Sequence, residues 1–300
     1  MKITILGNNS ALPAYDRHPT SQMISLNGQD IMLDCGESTQ IQMSRYGMRW
    51  RHMDYIFISH LHGDHYFGLF GLITTMSLQG RTNPLHLYAP APLESLIDAL
   101  LAVASSVLCY EIKFHPLPEG AADLVDERNF TVSCFPVEHR IPCYGFIITE
   151  KTKGRKLLPE KCREYGIPSY FYDRLKKGED YETKEGEVIK SEWVTTEGPR
   201  PSRYAYCADT IYTESFLEYI RGVDIMYHES TYLEQDIDKA RERYHSTAAQ
   251  AADIALKAGV RQLLLGHYSS RYKELDGFQK EAAAIFPNVQ VTVEGVTYEA

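Results

Sequence analysis

The chain has 300 residues and a formal net charge of −9. That acidity excludes a protein that coats nucleic acid over its whole surface, so any basic contact must be local. No apolar run reaches the roughly 20 residues that a membrane-spanning helix needs, and Met1-Lys2-Ile3-Thr4-Ile5-Leu6-Gly7 reads as a strand and turn rather than a signal peptide.

Taken in order, Ile3–Leu6, Gln22–Leu26 and Ile31–Asp34 read as strands, with a turn-rich loop, Gly7 to Pro13, between the first two. Asp34 stands at a strand end, where a carboxylate can orient a neighbouring metal ligand. A helix is expected from Ser38 to Tyr46, stopped by Gly47. The apolar run Tyr55-Ile56-Phe57-Ile58 then leads into Ser59-His60-Leu61-His62-Gly63-Asp64-His65. His60 and His62 alternate, so in extended backbone they point the same way. Gly63 permits a sharp turn, and Asp64 and His65 return from its far side. Burying these side chains without a cation would strand several polar groups, each at about 1–3 kcal/mol. Nitrogen and oxygen donors of this kind suit zinc, manganese or iron.

Beyond that loop, Gly68 to Met76 reads as a buried helix, Leu85–Tyr88 as a strand and Leu93 to Leu108 as a long apolar helix. Asn129–Val137 is a strand running towards His139, and Ile141–Ile148 resumes the sheet. From Lys151 to Lys177 the composition changes: Lys151, Lys153, Arg155, Lys156, Lys161, Arg163, Arg174, Lys176 and Lys177 are opposed only by Glu160, Glu164 and Asp173, with Tyr165, Tyr170, Phe171 and Tyr172 interleaved. This reads as the one basic, aromatic-bearing segment of an acidic chain.

The second half repeats the pattern of strand followed by polar residues. Tyr204–Cys207 leads to Asp209, Val223–Tyr227 to His228-Glu229-Ser230-Thr231, and Arg261–Leu265 to Gly266-His267. His245 precedes a helix whose Thr247 and Gln250 fit a capping box and whose Gly259 fits a C-terminal stop. The expected fold is α/β, two packed sheets flanked by helices, in a single domain over residues 1–300 with an arm inserted at about 150–200. His139, Asp209 and His267 then join the first cluster at one sheet edge. Asp209 is the natural bridge between two ions, one held by His60, His62, His139 and Asp209, the other by Asp64, His65, Asp209 and His267. His18, His52, His86 and His115 lack this placement. The six cysteines form no C-x-x-C pair and read as reduced thiols of a cytosolic protein.

The H-x-H-x-D-H stretch resembles the signature of the metallo-β-lactamase superfamily, which implies its αββα sandwich. More specifically, Leu33–Gln40, Phe57–His65, Gly68–Leu72, Tyr206–Thr210, His228–Thr231, His245–Ala252 and Leu265–Tyr272 resemble the ribonuclease Z family in its short form. The resemblance implies the ligand set just given, two zinc ions per chain (manganese also fits the donors), a homodimer without membrane attachment, and removal of the 3′ trailer from precursor tRNA. The cut would leave a 3′-hydroxyl on the tRNA. Asp64 is then placed to hold or accept a proton of the attacking water. His245 becomes the proton donor to the leaving oxygen, with Glu229 orienting it. Two departures stand out: the arm lacks the family's Gly-Pro pair, reading Gly166-Ile167-Pro168-Ser169-Tyr170-Phe171-Tyr172-Asp173, and the first loop reads Asp16-Arg17-His18-Pro19-Thr20-Ser21. The competing readings are a phosphodiesterase on other nucleic acids or cyclic nucleotides and a small-molecule hydrolase of the same superfamily.

Overall fold

The computed structural model of the chain describes residues 1–151, 154–198 and 200–300. Two seven-stranded sheets pack face to face. The first runs Thr297–Glu299, Lys2–Gly7, Ser21–Leu26, Gln29–Cys35, Met53–Phe57, Leu85–Ala89, Ile112–Pro116. Its pairs are antiparallel up to Gln29–Cys35 and parallel from there on. Parallel neighbours need crossovers, and the helices Thr39–Arg45, Leu69–Leu78 and Pro92–Val103 supply them. Their apolar faces, through Met43, Leu72, Ile73, Met76, Leu93 and Ile97, cover Met32, Ile56 and Leu87 on the outer side of this sheet.

The second sheet runs Val289–Val291, Gln262–Gly266, Ile225–Glu229, Arg203–Cys207, Cys143–Glu150, Phe130–Val137, Ala122–Asp126. The first four strands are parallel and the rest antiparallel. Ala248–Ala258 and Asp276–Ala283 are among the helices packed against it. One buried cluster joins the sheets, from Ile3, Ile5 and Phe57 to Phe146 and Tyr206, with the Phe57 and Phe146 rings 5.4 Å apart. Each such side chain contributes about 1.5–3 kcal/mol on burial. Between two covered faces the central strands need not alternate, and Gln262–Gly266 and Ile225–Glu229 are buried almost throughout. This is the αββα sandwich.

The helix expected to reach Leu108 ends at Val103, where Ser105 turns left-handed at φ 48°. The capping box at Thr247 and Gln250 is present, and Gly259 closes that helix at φ 64°. Residues 156–196 form a separate packing unit. Lys156–Leu157 pairs antiparallel with Thr195–Thr196, and between them lie the helices Pro159–Glu164, Tyr172–Lys176 and Ser191–Val194. Cys162, Ile167, Phe171, Leu175, Ile189 and Val194 make its own apolar cluster. Because Ile189 and Val194 belong to that cluster, the unit reaches well past the basic stretch ending at Lys177. Lys153 lies outside the described residues.

Candidate metal centre

The loop after Met53–Phe57 is fixed at both ends. Asp34, left-handed at φ 55° at the end of the adjacent strand, accepts the Ser59 amide at 2.7 Å and the Ser59 hydroxyl at 2.8 Å. Asp tolerates this conformation better than most residues. His62 is extended, and Gly63–Tyr66 forms a single helical turn that swings Asp64 and His65 back. The loop lies so close to the neighbouring segment that a Cβ on Gly68 would sit 2.0 Å from the Gly36 carbonyl oxygen. Glycine is required there for the approach.

Around this loop the strand ends converge. His60, His62, His139 and Asp209 offer ligand atoms that all lie within 4.8 Å of one another, as do Asp64, His65 and His267. Asp209 faces both sets. Its Oδ1 lies 3.1 Å from His267 Nε2 and 3.5 Å from His65 Nε2, while Oδ2 lies 3.7 Å from His60 Nε2 and 3.9 Å from His139 Nε2. Asp64 Oδ2 accepts the Ala11 amide at 2.8 Å and lies 3.3 Å from His267 Nε2. All seven expected ligands are therefore brought together. His18 instead meets Glu294 at 2.8 Å, and His86 stacks on His115. Both pairs lie apart from these ligand groups.

The donor set fits a pair of cations. The outer imidazole nitrogens are occupied: His65 Nδ1 meets Asp34 Oδ2 at 2.7 Å, His139 Nδ1 donates to the Tyr244 carbonyl at 2.8 Å, and His60 Nδ1 lies 3.0 Å from Ser59 Oγ. The inner nitrogens face one another. His62 Nδ1 is 3.0 Å from His60 Nε2 and 3.2 Å from His139 Nε2, and the Nε2 atoms of His65 and His267 are 3.3 Å apart. Lone pairs so disposed repel unless a cation lies among them, and buried Asp209 Oδ1 has no hydrogen-bond partner. Burial pushes His60 far below the ordinary imidazole value, His62 to about 4 and His139 downward. Asp64 and Asp209 are held well below the carboxylate range, the neighbouring histidines outweighing the burial that opposes them. His65 goes the other way: burial opposes its proton, but Asp209, Asp64 and Asp34 hold it. Neutral imidazoles and ionised carboxylates are the ligand forms a divalent metal takes, so His60, His62, His139, Asp64 and Asp209 are already in that form, whereas His65 gives up a proton to serve as a ligand.

His245 and Glu229 flank the centre. Glu229, the last residue of its strand, is fully buried and accepts the His245 Nδ1 proton at 2.9 Å and the Ser246 amide at 2.9 Å. Burial opposes the imidazolium, but the Glu229 charge outweighs it and raises His245 above its ordinary value. Several groups that hold the ligands were not legible in sequence. The Ala11 amide and the Tyr244 carbonyl are backbone atoms at left-handed residues, φ 58° and 60°, and become visible only when the loops close. His267 itself sits at φ 60°. Such conformations cost about 1–3 kcal/mol and persist where surrounding contacts hold them.

The basic surface also differs from expectation. Within residues 151–197, eleven basic residues meet ten acidic ones, most of the acids lying after Lys177. Lys151 pairs with Asp126, Arg174 with Glu179 and Lys176 with Asp173. Among the described residues Lys156, Lys161, Arg163 and Lys177 make no ion pair. Nor is the stretch unique: Arg49, Trp50 and Arg51 line a cleft of about 690 Å³ at the opposite end of the strand that leads to His60. That second cluster spans only a few residues, too short to shift the composition of a window.

A protein named ribonuclease Z from Bacteroides fragilis (strain YCH46) is 43% identical over 296 residues, covering 98% of this chain and 97% of the relative. One of the same name from Parabacteroides distasonis is 43% identical over 295 residues, with 98% and 97% covered. The chain belongs to the ribonuclease Z family. As a member it is an endoribonuclease of the metallo-β-lactamase fold, and that membership implies use of divalent metal. The crystal structure of human tRNase Z, short form (ELAC1), covers 100% of the chain and 99% of its own at a TM-score of 0.74 and 25% identity. The metallo-β-lactamase fold protein YhfI from Bacillus subtilis, at TM-score 0.71 and 18% identity over 100% of the chain and 99% of its own, shares the fold. A family profile described as Anti-Pycsar protein Apyc1 matches residues 1–154, which include His60 to His65 and His139 but not Asp209, Glu229, His245 or His267. The ribonuclease Z likeness runs through both halves.

Proposed function

We propose that this ribonuclease Z removes the 3′ trailer from precursor tRNA by phosphodiester hydrolysis, using two zinc ions per chain held by His60, His62, Asp64, His65, His139, Asp209 and His267. The observation that carries the reading is Asp209, whose two oxygens face two separate donor sets. When bound, a pair of divalent ions stabilises charge on the phosphoryl group being cut. The chain supplies the rest. Asp64, held by the Ala11 amide, holds or accepts a proton of the attacking water. His245 donates through its second nitrogen to the leaving 3′-oxygen, while its Nδ1 stays fixed on Glu229.

The arm over residues 156–196 takes the tRNA body, away from the cut. A folded tRNA presents A-form backbone, so its recognition rests on shape and phosphate contacts. Lys156, Lys161, Arg163 and Lys177 are available for phosphates, and exposed Tyr170 and Trp193 for sugar or base faces. The working assembly is a homodimer in the cytoplasm. In support of that compartment, all six cysteines are unpaired, five of them buried. Zinc is favoured by the histidine-rich donor set, and manganese is the alternative.

Incubation with a 3′-extended tRNA and mapping of the ends tests this. The expected products are a tRNA ending in a 3′-hydroxyl after the discriminator nucleotide and a trailer with a 5′-phosphate. Turnover of cyclic nucleotides or thioesters with intact precursor tRNA would overturn it.

A further inference from the structure

We propose that Thr231 is a positioning residue that fixes the tautomer of His267, so that Glu229, acting through Thr231, sets both the proton donor and one side of the metal centre. The proposal rests on His267 being a ligand. Its basis is a count of protons. The amides of Thr231 and Ser246 can only donate, and they reach Glu229 Oε2 and Oε1 at 2.9 Å each. Both Glu229 oxygens are therefore acceptors. Thr231 Oγ1 lies 2.8 Å from Oε2, so its single proton goes there. The lone pairs left on that oxygen face His267 Nδ1 at 2.9 Å and His245 Nδ1 at 3.2 Å. A nitrogen can approach them only by bringing a proton. His267 consequently carries a proton on Nδ1, which leaves Nε2, 3.1 and 3.3 Å from Asp209 Oδ1 and Asp64 Oδ2, as the nitrogen that can face a cation.

Among the described residues Thr231 Oγ1 is the hydrogen-bond partner of His267 Nδ1, and Thr231 is buried, with 1% of its surface exposed. His65 is oriented directly by a carboxylate, Asp34. His267 receives the same service at one remove. A hydroxyl between carboxylate and imidazole leaves the carboxylate free to hold His245 as well.

The test is Thr231→Val against Thr231→Ser in the full chain. Zinc is withdrawn from the loaded protein by graded chelator, and the imidazole nitrogen shifts of His267 are read in the metal-free protein, assigned through His267→Gln. Thr231→Val should weaken one of the two ions about 10–100-fold, leave the other unchanged, and mix the two tautomers of His267. Thr231→Ser should restore both readouts. Wild-type affinity for both ions in Thr231→Val, or a wild-type His267 with no proton on Nδ1, would overturn the proposal. So would loss of both ions that serine does not rescue, the mark of a merely structural role. His267→Ala retaining both ions overturns the ligand assignment beneath it, and does so separately from the tautomer result.

Discussion

The metal centre and the arm are built on opposite terms. In the centre most of the polar side chains come from, or just past, the ends of strands whose register is set by two buried sheets. Its outer atoms are tied by bonds such as Asp34 to His65 and Glu229 to His245. In the arm the charges are exposed and paired loosely, as in Lys176 with Asp173, where the carboxylate is 86% accessible. Such surface pairs contribute about 0–1 kcal/mol and are screened by salt. Chemistry demands fixed distances, whereas docking on a phosphate backbone demands charge within reach. The two regions should therefore fail separately, and substitutions can show whether they do.

The largest effect is expected from Asp209→Ala. With its two oxygens gone, neither donor set is complete. At least one ion should be lost and cleavage of precursor tRNA nearly abolished, while tRNA binding through the arm persists. Elemental analysis beside a filter-binding curve would show it. Two ions retained per chain would remove the bridge from the argument.

His245→Ala cuts within the centre itself. Both ions and tRNA affinity should be kept while cleavage falls by about 10²–10⁴, the usual contribution of a positioned acid or base. Metal content falling in step with activity would make His245 a ligand, an option its grouping with Asp209 and His267 keeps chemically open.

Replacing residues 156–196 with a short Gly/Ser bridge tests the other side. The antiparallel pairing of Lys156–Leu157 with Thr195–Thr196 brings the cut ends together, and Gly198 abuts the Gly154 carbonyl at the base. Both ions and hydrolysis of a small phosphodiester should survive. Binding of precursor tRNA should collapse, and its salt slope should shrink by about 0.7–0.9 for each phosphate contact removed. If affinity and slope are unchanged, docking belongs elsewhere, and the Arg49–Trp50–Arg51 cleft becomes the surface to cut next.

Much of the centre was legible in sequence because its signal is local. Four ligand-type side chains follow one buried strand within six residues, and Asp209 and His267 each stand just past an apolar run. Asp34 could be placed at a strand end for the same reason. What stayed hidden were groups that act across the fold. The hydroxyl of Thr231 meets His267 over 36 residues, and the Ala11 amide meets Asp64 over 53. No window joins such pairs. The arm misled differently. A basic stretch is visible as composition, but its acidic second half and the cluster tying Phe171 to Ile189 and Val194 depend on how the segment folds back. The insertion at about 150–200 was legible, but the packing that makes residues 156–196 one unit, well past the basic stretch ending at Lys177, was not.

The smallest effect expected concerns whether that packing is independent of the body. Leu175 is fully buried in the arm's cluster of six apolar residues, none of which belongs to the clusters around the sheets. Truncating a buried leucine typically costs about 2–5 kcal/mol. In one cooperative unit that loss would be felt everywhere. In a separately packed unit it stays local, opening the arm while the sandwich keeps its stability. Leu175→Ala should therefore speed amide exchange across residues 156–196 and leave the amides of Ile3, Ile5 and Phe57 at their original rates. Metal content and small-phosphodiester hydrolysis should not move, and the apparent affinity for precursor tRNA should drop by a few-fold as the docking surface loses definition. Equal acceleration in the sheets would show that the arm and the sandwich fold as one, and the division between chemistry and docking would then be one of surface rather than of folding units.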